Sequence, residues 1–240
     1  IKRYAQAFPD EASARSFLLG ESAAAAADMD LAIRTIIANG ARTFLVPNLP
    51  DLGKVPRFRN EPDRAVLATL ASQHFNDLLA TSLDTIRHSS GEDLKIVSMD
   101  IKTLFELVRS RPREFGITNV SDPCINQVSE VDPATLTMCS TDYAEQNRFL
   151  FWDDIHPTAA THELIAKTAI GLLTADRALE TPMMFSEASL ITARALSQDV
   201  WQHLTQLRLV TQNEDRSPQG HDNHRSGQPV SIFLLSSNAF

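Results

Sequence analysis

Two short apolar runs, ARTFLVP (41–47) and LKIVSMD (94–100), stand on either side of a segment in which Phe75, Leu78, Leu79, Ser82, Leu83 and Ile86 recur at helical spacing. Runs this short and continuous suit strands buried on both faces, and the stripe between them predicts a helix over about 63–89. The same alternation extends both ways. Upstream, Met29, Ala32, Ile33 and Ile36 place a helix from Ser22 to Asn39, stopped by Asn39-Gly40. Downstream, IKTLFELVRSRPREFG reads as a shorter helix and RFLFW as a third apolar run, and a helix follows Pro157 to about Thr174. Strands alternating with helices favour an α/β fold with a parallel sheet, whose ligands lie beyond the carboxyl ends of the strands. Residues 117–147 read as irregular and polar.

Composition narrows the partners. With 240 residues, 43% apolar and 22% charged, the chain is long enough to bury a core. Its net charge is −8, and nineteen acids face ten bases between Glu61 and Glu180, with no run of Lys or Arg longer than two. That argues against nucleic acid, which needs clustered positive charge. No apolar run approaches the eighteen or so residues of a membrane helix. The opening IKRYAQAFPDEASAR has neither an initiating Met nor the order of a signal peptide, so the chain reads as a piece of something longer. Residues 1–176 read as one unit. Residues 177–240 add an amphipathic segment (Ala188 to Leu209), the polar linker VTQNEDRSPQGHDNHRSGQ, and PVSIFLL, which suits a lone strand. His221 and His224 in that linker lack a third ligand, so a solvated segment is expected rather than a metal site.

Cys124 and Cys139, with fourteen residues between them, are either two free thiols or a bridge. A bridge contributes roughly 3 kcal/mol on the chain-entropy model and implies an oxidising compartment.

The chemistry is concentrated in RFLFWDDIHPTAATHELIA (148–166). In a D-x-x-H turn ahead of a helix, the carboxylate of Asp153 can curl back to one imidazole nitrogen of His156 and leave the other for a substrate. That is how a hydroxyl nucleophile is activated in ester hydrolysis. On spacing alone, an Asp-capped turn with a packed His is the commoner reading. Pro157 suits the first helical position, which would put His156 at or near the cap.

ANGARTFLVPNLPDLGKVP (38–56) together with FLFWDDIHPTAATHELIA (149–166) resembles the SGNH, or GDSL, family of esterases and lipases, and more narrowly its bacterial secreted branch. The resemblance covers roughly residues 20–172. It implies a three-layer α/β/α, flavodoxin-like fold with a parallel sheet, here lacking its first strands. It makes Asp153 the triad acid and His156 the base, and calls for a small-molecule ester or lipid substrate and no metal or organic cofactor. Two cysteines between the blocks also fit that branch, which with a Cys124–Cys139 bridge implies a secreted, cell-surface or periplasmic location. Asp154 stands where many members have Gly, and His162 matches a His that reads as helix-packing. Asn48 is expected to bond its own backbone in the turn after the strand rather than to serve as an oxyanion donor.

The family's nucleophilic Ser belongs to a G-D-S block far ahead of NLPDLG. Gly20-Glu21-Ser22 imitates that block, but Ser22 is expected to cap its helix. The Ser, the oxyanion Gly and the oxyanion Asn are therefore expected upstream of Ile1. Two rivals are a non-catalytic relative and a small doubly wound binding module; the latter requires a complete sheet.

Overall fold

The computed structural model describes residue 8 and residues 10–91, 93–126 and 136–175. The expectations for the amphipathic segment, the linker, the lone strand and the His221/His224 pair lie outside the described residues.

Helix α1 (Glu11–Ala38) starts well before the expected position, because Asp10 supplies a strong cap: its Oδ1 accepts the Ser13 N–H at 2.7 Å. Ser22 is consequently no cap. It lies inside the helix, 1% exposed, with its hydroxyl donating to Leu19 O at 3.0 Å and bonded to His74 Nδ1 at 2.8 Å. Gly40, at φ 98°, provides the left-handed stop that the sequence predicts.

Strand β1 (Thr43–Pro47) pairs in parallel with β2 (Lys95–Met99), in register from Thr43↔Lys95 to Pro47↔Met99. Two 3₁₀ turns, Leu52–Lys54 and Pro56–Phe58, and the long helix α2 (Pro62–Ser89) connect them. The first turn lies so close to α2 that a Cβ on Gly53 would come 2.2 Å from both Ala65 O and Thr69 Oγ1. Only glycine lets the backbone approach that far. Helix α3 (Ile101–Ser110) follows, capped by Asp100, whose Oδ1 accepts the Thr103 N–H at 3.0 Å.

The segment expected to be irregular contains two regular elements, strand β3 (Asn119–Pro123) and the short helix α4 (Tyr143–Gln146). The sequence NVSDP has no apolar run to mark a strand. It becomes one by pairing in parallel with β4 (Phe149–Phe151), with a register irregularity between Asn119 and Pro123. Helix α5 (Ala159–Ala175) closes the described chain.

Among the described residues the strands form two parallel pairs rather than the complete sheet a doubly wound binding module requires. β1 is buried on both faces, as its composition predicts. Phe44 and Val46 join Ile33, Phe75, Leu79, Leu83 and Ile86, while Leu45 joins Met99, Leu104, Val108, Leu150 and Phe151. Each fully buried aliphatic or aromatic side chain contributes about 2 kcal/mol. β2 is less buried than expected: Ser98 is exposed and only Met99 is enclosed, because no described strand pairs with its other edge. No described helix is long and apolar enough to cross a membrane.

Candidate functional site

The carboxyl end of β4 runs straight into the D-x-x-H turn, and the turn is tied down on both sides. Trp152 N–H donates to His156 O at 2.7 Å, Pro157 bridges back to Phe151, and Thr158 N–H donates to Leu150 O at 3.1 Å. The Thr158 hydroxyl donates to Phe149 O at 2.7 Å and the Thr161 hydroxyl to Leu150 O at 3.0 Å, which fastens the start of α5 to the strand. Pro157 is therefore not the first helical residue. That helix begins at Ala159, with Thr158 in the cap position accepting the Thr161 N–H at 3.4 Å, and His156 lies ahead of the cap.

Within the turn, Asp153 Oδ1 accepts the N–H groups of Ile155 at 2.8 Å and His156 at 2.6 Å, and Oδ2 lies 2.8 Å from His156 Nδ1. Burial pushes the Asp153 carboxyl up, but the two backbone donors and the imidazole together outweigh it and hold the carboxyl below its ordinary range. An ionised carboxylate only accepts, so the nitrogen facing it carries the proton, and in the neutral ring the lone pair is then on Nε2. The side chain of Asp153 is 17% exposed and that of His156 71%. The arrangement presents a basic nitrogen at the surface with a shielded carboxylate behind it.

Cys124 and Cys139 are joined in a disulfide, with Cα atoms 4.7 Å apart. The bridge lies against the same turn, since Cys124 N–H donates to Phe151 O at 3.0 Å and Ile125 N–H to Trp152 O at 2.7 Å. Asp154 bonds Arg57: Arg57 Nε donates to Asp154 Oδ2 at 2.8 Å. Nothing in the sequence pattern marks Arg57, because its partner lies ninety-seven residues away.

Asn48 does not bond its own turn. Its Nδ2 donates to Asp100 Oδ1 at 2.8 Å and its Oδ1 accepts the Lys102 N–H at 3.1 Å, which joins the carboxyl ends of β1 and β2. Burial raises the Asp100 carboxyl, but bonds from Thr103 and Asn48 overcome that and leave it below the ordinary value. The two strand ends lie in register, so a side chain at the end of one reaches the cap of the helix after the other. His162 is exposed on α5 rather than packed, because the helix turns Thr161 and Thr168 inward instead.

The chain belongs to the GDSL-like Lipase/Acylhydrolase family, whose profile matches residues 13–169. Its helices and parallel strands are the α/β arrangement of that family. It is 34% identical over 151 residues to the thermolabile hemolysin of Vibrio parahaemolyticus, covering 59% of this chain and 34% of that protein. To an uncharacterized protein in the trpE-trpG intergenic region of Pseudomonas putida it is 28% identical over 185 residues, 76% of this chain and 30% of the relative. To the GDSL esterase/lipase APG of Arabidopsis thaliana it is 29% identical over 151 residues, 58% of this chain and 41% of the relative. The chain thus spans less than half the length of these relatives.

Proposed function

We propose that this chain supplies the acid–base half of a carboxylic ester hydrolase of esterase or lipase type, with the nucleophilic Ser carried by polypeptide upstream of Ile1. One observation carries the reading: in a member of a lipase/acylhydrolase family, a surface imidazole is held through Nδ1 by a shielded carboxylate at 2.8 Å. Among the described residues no hydroxyl is bonded to the ring of His156. The nearest sequence imitation of a nucleophile, Ser22, is enclosed between α1 and α2.

In this mechanism His156 Nε2 takes the proton of the serine hydroxyl as its oxygen attacks the ester carbonyl. Asp153 stabilises the imidazolium, which then returns the proton to the departing alkoxide. Water, deprotonated by the same nitrogen, releases the acid from the acyl-enzyme. No metal enters these steps. The substrate is a small-molecule or lipid ester, and the disulfide supports an exported protein.

Hydrolysis of a chromogenic ester by the full-length protein tests this. His156→Ala is expected to reduce kcat by roughly a millionfold, leaving only the residual rate that substrate binding and oxyanion stabilisation supply. Retained turnover removes His156 from the mechanism. The 240-residue chain alone is expected to be inactive; activity equal to that of the longer polypeptide overturns the upstream serine.

A further inference from the structure

The D-x-x-H turn is fastened to β4 and α5 by its own backbone, yet its second residue is bonded to a distant part of the chain. Arg57 donates from Nε to Asp154 Oδ2 at 2.8 Å and from Nη2 to Oδ1 at 3.3 Å, and its backbone N–H donates to Asp154 O at 2.9 Å. The two side chains are only 21% and 15% exposed. A two-pronged guanidinium–carboxylate pair fixes orientation as well as distance, which a lysine in the same place does not.

Arg57 itself stands on a braced segment. Thr69 Oγ1 donates to Asp51 Oδ1 at 2.6 Å, and the backbone at Gly53 rests against Ala65 and Thr69 of α2. Arg109 donates to Lys54 O at 3.1 Å and Val120 O at 2.8 Å, and Arg59 pairs with Asp122. The segment 51–59 is therefore a strut from α2 to the turn that bears His156.

We infer that Arg57 is a positioning residue: by gripping Asp154 through both its carboxylate and its carbonyl, it sets the tilt of the turn and hence the direction of His156 Nε2. The inference rests on the reading of His156 as the base. The imidazole is exposed and, among the described residues, Asp153 is its one side-chain partner, so the turn alone determines where Nε2 points. Misplacing a reacting group by about 1 Å costs on the order of a hundredfold in rate.

The test compares wild type, Arg57→Gln and Arg57→Lys in the full-length protein. It measures kcat and KM on an ester, melting temperature, and the low-field proton resonance of the His156 Nδ1–H. Arg57→Gln is expected to lower kcat roughly ten- to a hundredfold with KM within about twofold, and to broaden the resonance into solvent exchange. Arg57→Lys, which keeps the charge and loses the fork, is expected to recover part of both. A wild-type resonance and kcat in Arg57→Gln, or a lower melting temperature with kcat per folded molecule unchanged, overturns the inference. Should Arg57→Gln fail to fold, Arg57→Lys decides: a wild-type resonance and kcat overturns the inference, and partial loss of both supports it. A wild type that hydrolyses no ester defeats the proposed function instead, while the resonance still reports whether Arg57 orders the imidazole.

Discussion

Two histidines of this chain hold hydrogen bonds of 2.8 Å through Nδ1, His156 to the Asp153 carboxylate and His74 to the Ser22 hydroxyl. By distance the pairs are the same; by surroundings they differ. Ser22 is enclosed and its hydroxyl already donates to Leu19 O, so its bond to His74 fixes how α1 and α2 pack. Among the described residues His74 has no carboxylate bonded to it, and the oxygen it touches is buried away from any substrate. In the other pair the carboxylate is shielded and the imidazole open, the order that proton transfer to an outside molecule requires. A short bond to histidine therefore says little about chemistry until the side facing solvent is known.

The largest expected difference between the pairs comes from replacing the partner of each histidine. Asp153→Asn turns an amide toward Nδ1, reverses the tautomer, and is expected to lower kcat about ten thousandfold in a folded protein. Ser22→Ala is expected to leave activity per folded molecule unchanged and to destabilise by about 1 kcal/mol, read from chemical denaturation. Comparable kinetic losses in both variants would erase the distinction. A smaller effect separates the turn from the helices: reduction of Cys124–Cys139 is expected to cost roughly 3 kcal/mol of stability and to lower the melting temperature. An unchanged melting temperature on reduction would remove the bridge from the forces holding the turn.

Acid supplies the mildest probe. Asp153 and Asp100 both ionise below the ordinary carboxylate range in the folded state. The stability each contributes is present above its unfolded-state pKa and is lost as pH falls through its folded-state pKa. Stability is therefore expected to fall steeply below about pH 4. Asp100→Asn, which no longer titrates, is expected to flatten that fall in denaturation curves taken across the range; an equally steep curve would place the linkage elsewhere.

The parts legible in the sequence share a local cause. The stripe from Phe75 to Ile86, the runs at 43–47 and 149–151, and the bond between Asp153 and His156 depend on residues close in sequence or on simple periodicity. The parts that escaped depend on a partner elsewhere. β3 has no apolar pattern and exists through its pairing with β4, and Asn48 reaches across to Asp100 because two strands end in register. Ser22 resembles a cap until Asp10 is seen to start the helix earlier, and Arg57 carries no signal at all until Asp154 is placed beside it.

The cystine is reinforced at its base: Ile125 bridges Met138, and Asn126 and Thr137 exchange two bonds, Asn126 N–H to Thr137 O at 3.0 Å and Thr137 N–H to Asn126 Oδ1 at 2.6 Å. These bonds hold the backbone on both sides of the bridge together, so that opening the cystine by reduction leaves its two flanking segments still paired beside the turn of Asp153 and His156.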